Sequence, residues 1–294
     1  MKNRRPSRWI TPALLLACGC SSLAFGGSYI QNFNSVADGS IADGSTPFGD
    51  GSIVRTNNAG TQVGSWTTTK SFRMTTDNQQ GVSTSYFLPN LEPTHTTSSF
   101  SASFDLKFKS DNVAADAFAF NFGTIKTTDS SIWASQGMYD ASGVKTGPML
   151  SVVWDTYSGD DPKSIEVFLN GARIGNNTSI VPIVPNYWTT GDFKNVTIDW
   201  ADNLLSVSYG GQSVFSGLST GSFAPALNDT FAFNAVTGGS TQDVFLDNIN
   251  ISTVPTPAVT VPETSAVPEA STSLGLLALG AGGLLTRRRL KRKA

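Results

Sequence analysis

Phe100-Ser101-Ala102-Ser103-Phe104-Asp105-Leu106-Lys107-Phe108 alternates apolar and polar residues over nine positions. That two-residue period belongs to a strand with one face in a core and one in solvent. Working outward, Ala117-Phe118-Ala119-Phe120-Asn121-Phe122 and Ser164-Ile165-Glu166-Val167-Phe168-Leu169 read the same way. So do Asn195-Val196-Thr197-Ile198-Asp199-Trp200 and Leu204-Leu205-Ser206-Val207-Ser208-Tyr209. Asn170-Gly171 and Gly210-Gly211 follow two of these runs and are hairpin turn signals. No long run repeats every 3.6 residues between 28 and 253, so these residues are expected to form an all-β sandwich or barrel. Residues 28–97 are rich in Gly, Ser, Thr and Asn, and are expected to add early strands and long loops.

The charges divide the chain. Ten of its 20 basic residues are Lys2, Arg4, Arg5, Arg8, Arg287, Arg288, Arg289, Lys291, Arg292 and Lys293, at the two ends. The remaining ten face all 22 acidic residues between Phe25 and Thr286, a formal charge of −12. Such a body does not neutralise phosphates, which excludes nucleic acid as a partner. Both cysteines, Cys18 and Cys20, lie near the start, so the body folds without disulfides. The single histidine, His95, sits in a Thr/Ser-rich stretch that reads as an exposed loop.

Residues 1–24 have the parts of a secretory signal peptide: a basic start, the short apolar run Ala13–Cys18, and small residues leading to cleavage after Ala24. A competing reading takes Leu15-Leu16-Ala17-Cys18 as a lipobox that lipidates Cys18. At the other end, Val267-Pro268-Glu269-Ala270-Ser271-Thr272 precedes a Gly- and Leu-rich stretch and then Arg287 to Lys293. The span 271–286 is at the short limit for a transmembrane helix, with a stop-transfer basic tail at 287–293. Residues 254–266, with Pro255, Pro257 and Pro262 among Thr and Val, are expected to form an extended linker.

The C-terminal arrangement, residues 267–294, resembles the PEP-CTERM sorting signal, with Pro268-Glu269-Ala270 in place of its Pro-Glu-Pro core. The resemblance implies processing near Pro268 and Glu269 by an exosortase, with Arg287, Arg288 and Arg289 holding the precursor in the inner membrane. It also implies the secretion machinery as a partner and release to, or attachment at, the cell surface.

Within the body, four segments in order resemble the L-type lectin pattern of the concanavalin A-like jelly-roll fold. They are Ala115-Asp116-Ala117-Phe118-Ala119-Phe120; Val153-Trp154-Asp155-Thr156-Tyr157 with Asp161-Pro162; Val196–Trp200; and Phe231–Gly239 with Val244–Ile249. The resemblance implies a calcium site of Asp155, the Tyr157 carbonyl, Asp160 and Asp161. The family's transition-metal glutamate and histidine correspond to Val153 and Glu166, so that second metal is not expected. It further implies a sugar site of Asp116 with the loop Gly238, Gly239, Ser240 and Gln242, where a carboxylate accepts short hydrogen bonds from hydroxyls. Trp133, Tyr139 and Trp188 are aromatic candidates for stacking. Each of these features also has an ordinary role: Ser158–Pro162 is good turn chemistry, and Asp116 can serve a strand start.

Three functions remain open at this point. The chain binds surface polysaccharide without catalysis, it is a structural or adhesive matrix component, or it hydrolyses glycosides. Hydrolysis needs two placed carboxylates. The Glu-x-Asp-x-x-Glu pattern common on this fold is absent, and only Glu92 and Glu166 lie in the body.

Overall fold

The computed structural model describes residues 26–33, 46–48, 51–57, 71–78, 80–110, 116–125, 149–157, 162–179 and 191–257. The leader with Ala24, the aromatics at 133, 139 and 188, Asp160, Asp161 and the anchor with Pro268, Glu269 and Arg287–Arg289 all lie outside them.

Fifteen strands occur among the described residues: β1 (Ser28–Gln31), β2 (Thr46–Phe48), β3 (Gly51–Asn57), β4 (Phe72–Thr75), β5 (Val82–Phe87), β6 (Thr97–Lys109), β7 (Ala117–Gly123), β8 (Met149–Asp155), β9 (Ser164–Leu169), β10 (Ala172–Asn177), β11 (Lys194–Ala201), β12 (Leu204–Tyr209), β13 (Gln212–Ser219), β14 (Thr230–Val236) and β15 (Asp243–Pro255). They build two antiparallel sheets. One runs β1-β15-β6-β11-β12-β13, with β4 also on β15; the other runs β10-β9-β8-β7-β14-β5-β3-β2. The all-β expectation holds, and all five alternating segments are strands.

The period-two pattern fixes which residues meet between the sheets. Phe100, Ala102, Phe104, Leu106 and Phe108 of β6 are all buried, as are Val196, Ile198 and Trp200 of the adjacent β11. In β15 the inward parity changes: Val244 and Leu246 are buried, then Ile249 and Ile251. The register shifts between Asp247 and Asn250, and Asn248 adopts a φ of 49° there. One extra residue in a bulge moves the inward face from even to odd positions. Phe118, Phe120 and Phe122 of β7 and Phe231 and Phe233 of β14 face this layer from the second sheet. Phe104 lies 5.0 Å from Phe233 and Phe100 4.9 Å from Phe122, centroid to centroid.

Among the described residues, three two-residue hairpins have both central residues at positive φ, the geometry that matches strand twist. Asn170-Gly171 and Gly210-Gly211 were expected; Asp202-Asn203, with φ of 52° and 60°, is the third. It closes β11 onto β12 because short polar side chains tolerate the left-handed region.

The eight-stranded sheet departs from simple alternation. Strands β7 and β14 are buried at every position, so their second face is dry as well. Ala117 and Ala119 on that face are small and apolar, but Asn121 and Asn234 are not. They are satisfied by a ladder across four strands. The Ser151 hydroxyl donates to Asn121 Oδ1 (2.6 Å), Asn121 Nδ2 to Asn234 Oδ1 (2.6 Å), and Asn234 Nδ2 to the Ser85 hydroxyl (2.5 Å).

The segment before β4 also contributes to the core. Phe33 is fully buried between Phe72 and Tyr86, and the Tyr29 and Tyr86 hydroxyls are hydrogen-bonded. Gly27 N–H and the Thr253 hydroxyl both donate to Oε1 of buried Glu92, tying the start of the body to its last strand. That strand runs to Pro255, paired with Thr97, so the body extends two residues into the stretch read as linker.

Because every member of the ladder is fully buried, cutting it leaves orphaned polar groups. Asn234→Ala strands the Asn121 amide donor and the Ser85 hydroxyl, and is expected to lower stability by about 2–4 kcal/mol. A shifted urea midpoint at unchanged slope is the readout.

Candidate functional site

At one end of the eight-stranded sheet, β7 and β5 begin while β8 and β14 end, and four segments converge there. Asp116 precedes β7. Its N–H donates to the Val236 carbonyl (2.9 Å), and its own carbonyl accepts from the Thr156 N–H (2.9 Å) and hydroxyl (3.0 Å). The backbone of Asp116 is therefore fixed from both neighbouring strands.

Its carboxylate is not engaged in this way. Burial alone holds the Asp116 pKa above its ordinary value, and no hydrogen bond or cation compensates it among the described residues. Gly238 presses on this carboxylate: a Cβ added there would lie 2.3 Å from Asp116 Oδ2. Only a glycine allows the loop after β14 to lie so close to the acid. The result is a half-buried acceptor lined on one side by backbone, with no donor on it among the described residues.

The loop 238–242 is stapled at both ends by the turn between β4 and β5. Gly81 N–H donates to the Gly238 carbonyl (3.1 Å), and Gln80 Nε2 donates to the Gly239 carbonyl (2.5 Å). At the far end the Thr241 hydroxyl donates to the Asp77 carbonyl (2.5 Å), and the Asp77 N–H donates to Asp243 Oδ1 (3.1 Å). Burial raises the Asp243 pKa, opposed by that N–H and by Arg73, 3.6 Å away. Between the staples Gly239 is exposed and Ser240 is half-buried.

The structure thus brings Gly238 against Asp116, with Gly239 and Ser240 following in the same loop. Gln242 does not join them. Its side chain is fully buried, neither amide atom has a hydrogen-bond partner among the described residues, and its carbonyl accepts from the Thr75 hydroxyl (2.8 Å). Gln242 has the parity of Val244 and Leu246, which point inward, and this correction was available from the pattern. Sequence reasoning missed Gln80, Gly81 and Thr156. The Asp77–Gly81 stretch has turn composition, but nothing local names the loop it meets.

For the expected metal site, Asp155 and Tyr157 are described. Asp155 Oδ1 accepts the Tyr157 N–H (3.1 Å), and Tyr157 is 38% exposed beside Thr156. The neighbouring cation is Lys163, whose pKa burial lowers and Asp155 raises. Among the described residues no three His, Cys, Asp or Glu gather as a metal set. The two positions matching the family's transition-metal ligands do not fit a metal: Val153 is buried with Ala117 and Ala119, and Glu166 is held by Arg173 at 2.7 Å. His95 lies apart from these groups in a loop, with Nδ1 2.9 Å from the Thr94 hydroxyl.

Comparison with solved structures places the body in the concanavalin A-like fold. Lectin II from Ulex europaeus is 16% identical, with a TM-score of 0.51 over 74% of this chain and 98% of its own. Arcelin-5, a lectin-like defense protein from Phaseolus vulgaris, is 13% identical, with a TM-score of 0.54 over 79% of this chain and all of its own. The exoplasmic/lumenal domain of VIP36, in a Ca2+/Man-bound form, is 13% identical, with a TM-score of 0.52 over 76% of this chain and 88% of its own. No curated protein matches the sequence.

The second finding concerns the other end of the chain. The family described as the PEP-CTERM protein-sorting motif matches residues 266–289. The protein is a lectin-fold sandwich carrying a PEP-CTERM sorting motif. No helix of the described residues is long and apolar enough to cross a membrane, and the expected span 271–286 lies outside them.

The uncompensated carboxylate gives a sign that can be measured. With its folded pKa raised, ionised Asp116 opposes folding at neutral pH. Asp116→Asn is expected to unfold at a higher temperature than wild type at pH 7. The difference closes as the pH falls through the raised folded pKa and vanishes below the ordinary carboxylate range. Paired thermal unfolding at neutral and acidic pH checks this.

Proposed function

We propose that this chain is exported, sorted through its PEP-CTERM motif by an exosortase, and displayed at the cell surface as a non-catalytic carbohydrate-binding protein. In this reading Ala24 marks the end of the leader, and residues 267–294 anchor the precursor in the inner membrane until cleavage near Pro268 and Glu269. The sandwich then binds surface polysaccharide through Asp116, Gly238, Gly239 and Ser240.

The observation that carries the sugar reading is the Asp116 carboxylate: half-buried, fixed through its backbone, and without a donor of its own among the described residues. A buried acceptor without a donor is costly, and paired sugar hydroxyls relieve it with charge-assisted hydrogen bonds. Tyr157, exposed beside Thr156, supplies an aromatic face of the kind that packs on a sugar ring. Calcium belongs to the same proposal through Asp155, the Tyr157 carbonyl, Asp160 and Asp161, an all-oxygen set that suits a hard cation.

The two glutamates of the body favour binding over hydrolysis. Glu92 is spent on Gly27 and Thr253, and Glu166 on Arg173, so neither stands as a free acid beside Asp116.

Thermal unfolding with calcium, with chelator and with bacterial exopolysaccharides tests this function. A ligand at 100-fold excess over its Kd adds about 2.7 kcal/mol to the folded state. Calcium is expected to raise the midpoint, and a polysaccharide to raise it further in wild type but not in Asp116→Ala. A midpoint indifferent to every polysaccharide leaves a structural matrix domain as the better account.

A further inference from the structure

We propose that Gln80, in the turn between β4 and β5, is a specificity-determining residue of the sugar site, acting by clamping the Gly238–Ser240 loop against Asp116. This rests on the carbohydrate reading above and names a residue that neither the lectin resemblance nor the sequence motifs assign.

The argument begins with what the loop lacks. Gly238 and Gly239 have no side chains to fix their course, and nothing lies within 4 Å of a Cβ built on Gly239. Consecutive glycines lose more conformational entropy on ordering than any other pair. Yet the width of the slot over Asp116 depends on where these two residues run. Two contacts at this end of the loop hold them. Gly81 N–H reaches the Gly238 carbonyl from a residue at a φ of 66°, and Gln80 Nε2 reaches the Gly239 carbonyl. The first is main chain to main chain and carries no side-chain choice. The second depends on the identity of residue 80.

Gln80 is well suited to this. It is exposed and packs in no core, so the amide bond to Gly239 is its one described interaction. Its planar amide, once Nε2 is directed to Gly239, carries a free carbonyl oxygen and a second N–H at the rim of the loop. A sugar hydroxyl that reaches the Gly239 edge of the loop would meet this neutral donor and acceptor. The far staple, from Thr241 to Asp77, keeps the loop end and β15 in register independently of Gln80. Altering Gln80 should thus move Gly239 and Ser240 without unfolding the domain. The preference that follows is for neutral glycans, because this clamp adds no cation to the acidic site.

The test compares the full-length chain and its Gln80→Glu, Gln80→Ala and Asp116→Ala variants on immobilised glycans ending in mannose, glucose, galactose or N-acetylgalactosamine. Gln80→Glu keeps size and removes the N–H donor, facing the Gly239 carbonyl with a like partial charge. It is expected to weaken the preferred glycan about three- to tenfold, the equilibrium change that one such hydrogen bond carries. The order of the four glycans should change in both Gln80 variants, and the Gly239 and Ser240 amides should exchange faster, at an unchanged thermal midpoint. A merely structural role would lower the midpoint and weaken all glycans equally. If wild type binds and Asp116→Ala does not, but both Gln80 variants keep affinity and rank order, the clamp is wrong and the sugar site stands. If wild type holds none of the glycans, the sugar site fails and the clamp's role falls with it.

Discussion

Phe100, Phe104 and Phe108 from one sheet meet Phe118, Phe120, Phe122, Phe231 and Phe233 from the other, and this contact sets the spacing of the whole body. The body contains no cysteine, so burial must do what cross-links do in small secreted domains. Rings interlock at fixed distances: Phe122 lies 4.6 Å from Phe231, and Phe104 6.0 Å from Phe120 at 16° between planes. Each such pair contributes about 0.5–1.5 kcal/mol beyond its buried area. The same layer dictates everything outside it. With the inner positions of β7 and β14 given to Phe, their outer positions must be small or mutually bonded, which is where Ala117, Ala119, Asn121 and Asn234 fall.

The site occurs where that packing ends. Asp116 stands one residue before Ala117, and Gly238 two residues after Val236, so neither is part of a strand. The strands position both through the hydrogen bonds that close the sheet, from Asp116 to Val236 and from Thr237 to Val82. A rigid sheet thus delivers a loop and an acid to one point, and the acid retains an unfavourable burial that the core offsets. The packed core and the candidate site are thus drawn from different parts of one sheet.

Much of the fold was legible because β6, β7, β9, β11 and β12 alternate plainly, and their turns carry Gly or Asn. Strands β1, β4 and β5 were not. Ser83, Thr84 and Ser85 look like loop composition, yet Thr84 and Ser85 are fully buried because Met74 and Asn234 supply their hydrogen-bond partners. A polar residue's fitness for a dry strand depends on what lies opposite, and that information is 10 positions away for Thr84 and 149 for Ser85. The candidate site divides the same way. The motif named Asp116 and the glycine loop, and the structure shows Gly238 lying against Asp116. Gln242 was misassigned because the strand's inward parity already governs it, and Gln80 was invisible because its partner is 159 residues distant.

Strand β15 connects the two ends of this design. Its first residue, Asp243, follows the loop that meets Asp116, and its last, Pro255, leads out of the body. Thirteen residues of strand separate these ends, roughly 40 Å. β6 flanks one side of it along nearly the whole length, and β4 and then β1 flank the other. A pull between Pro255 and the loop beside Asp116 would run along this strand. Its inter-strand hydrogen bonds lie across that direction. They would be loaded in shear, many at once, instead of being unzipped one after another. The strand that follows the loop is therefore also laid out as a tension member, running from the loop beside Asp116 to the end of the body.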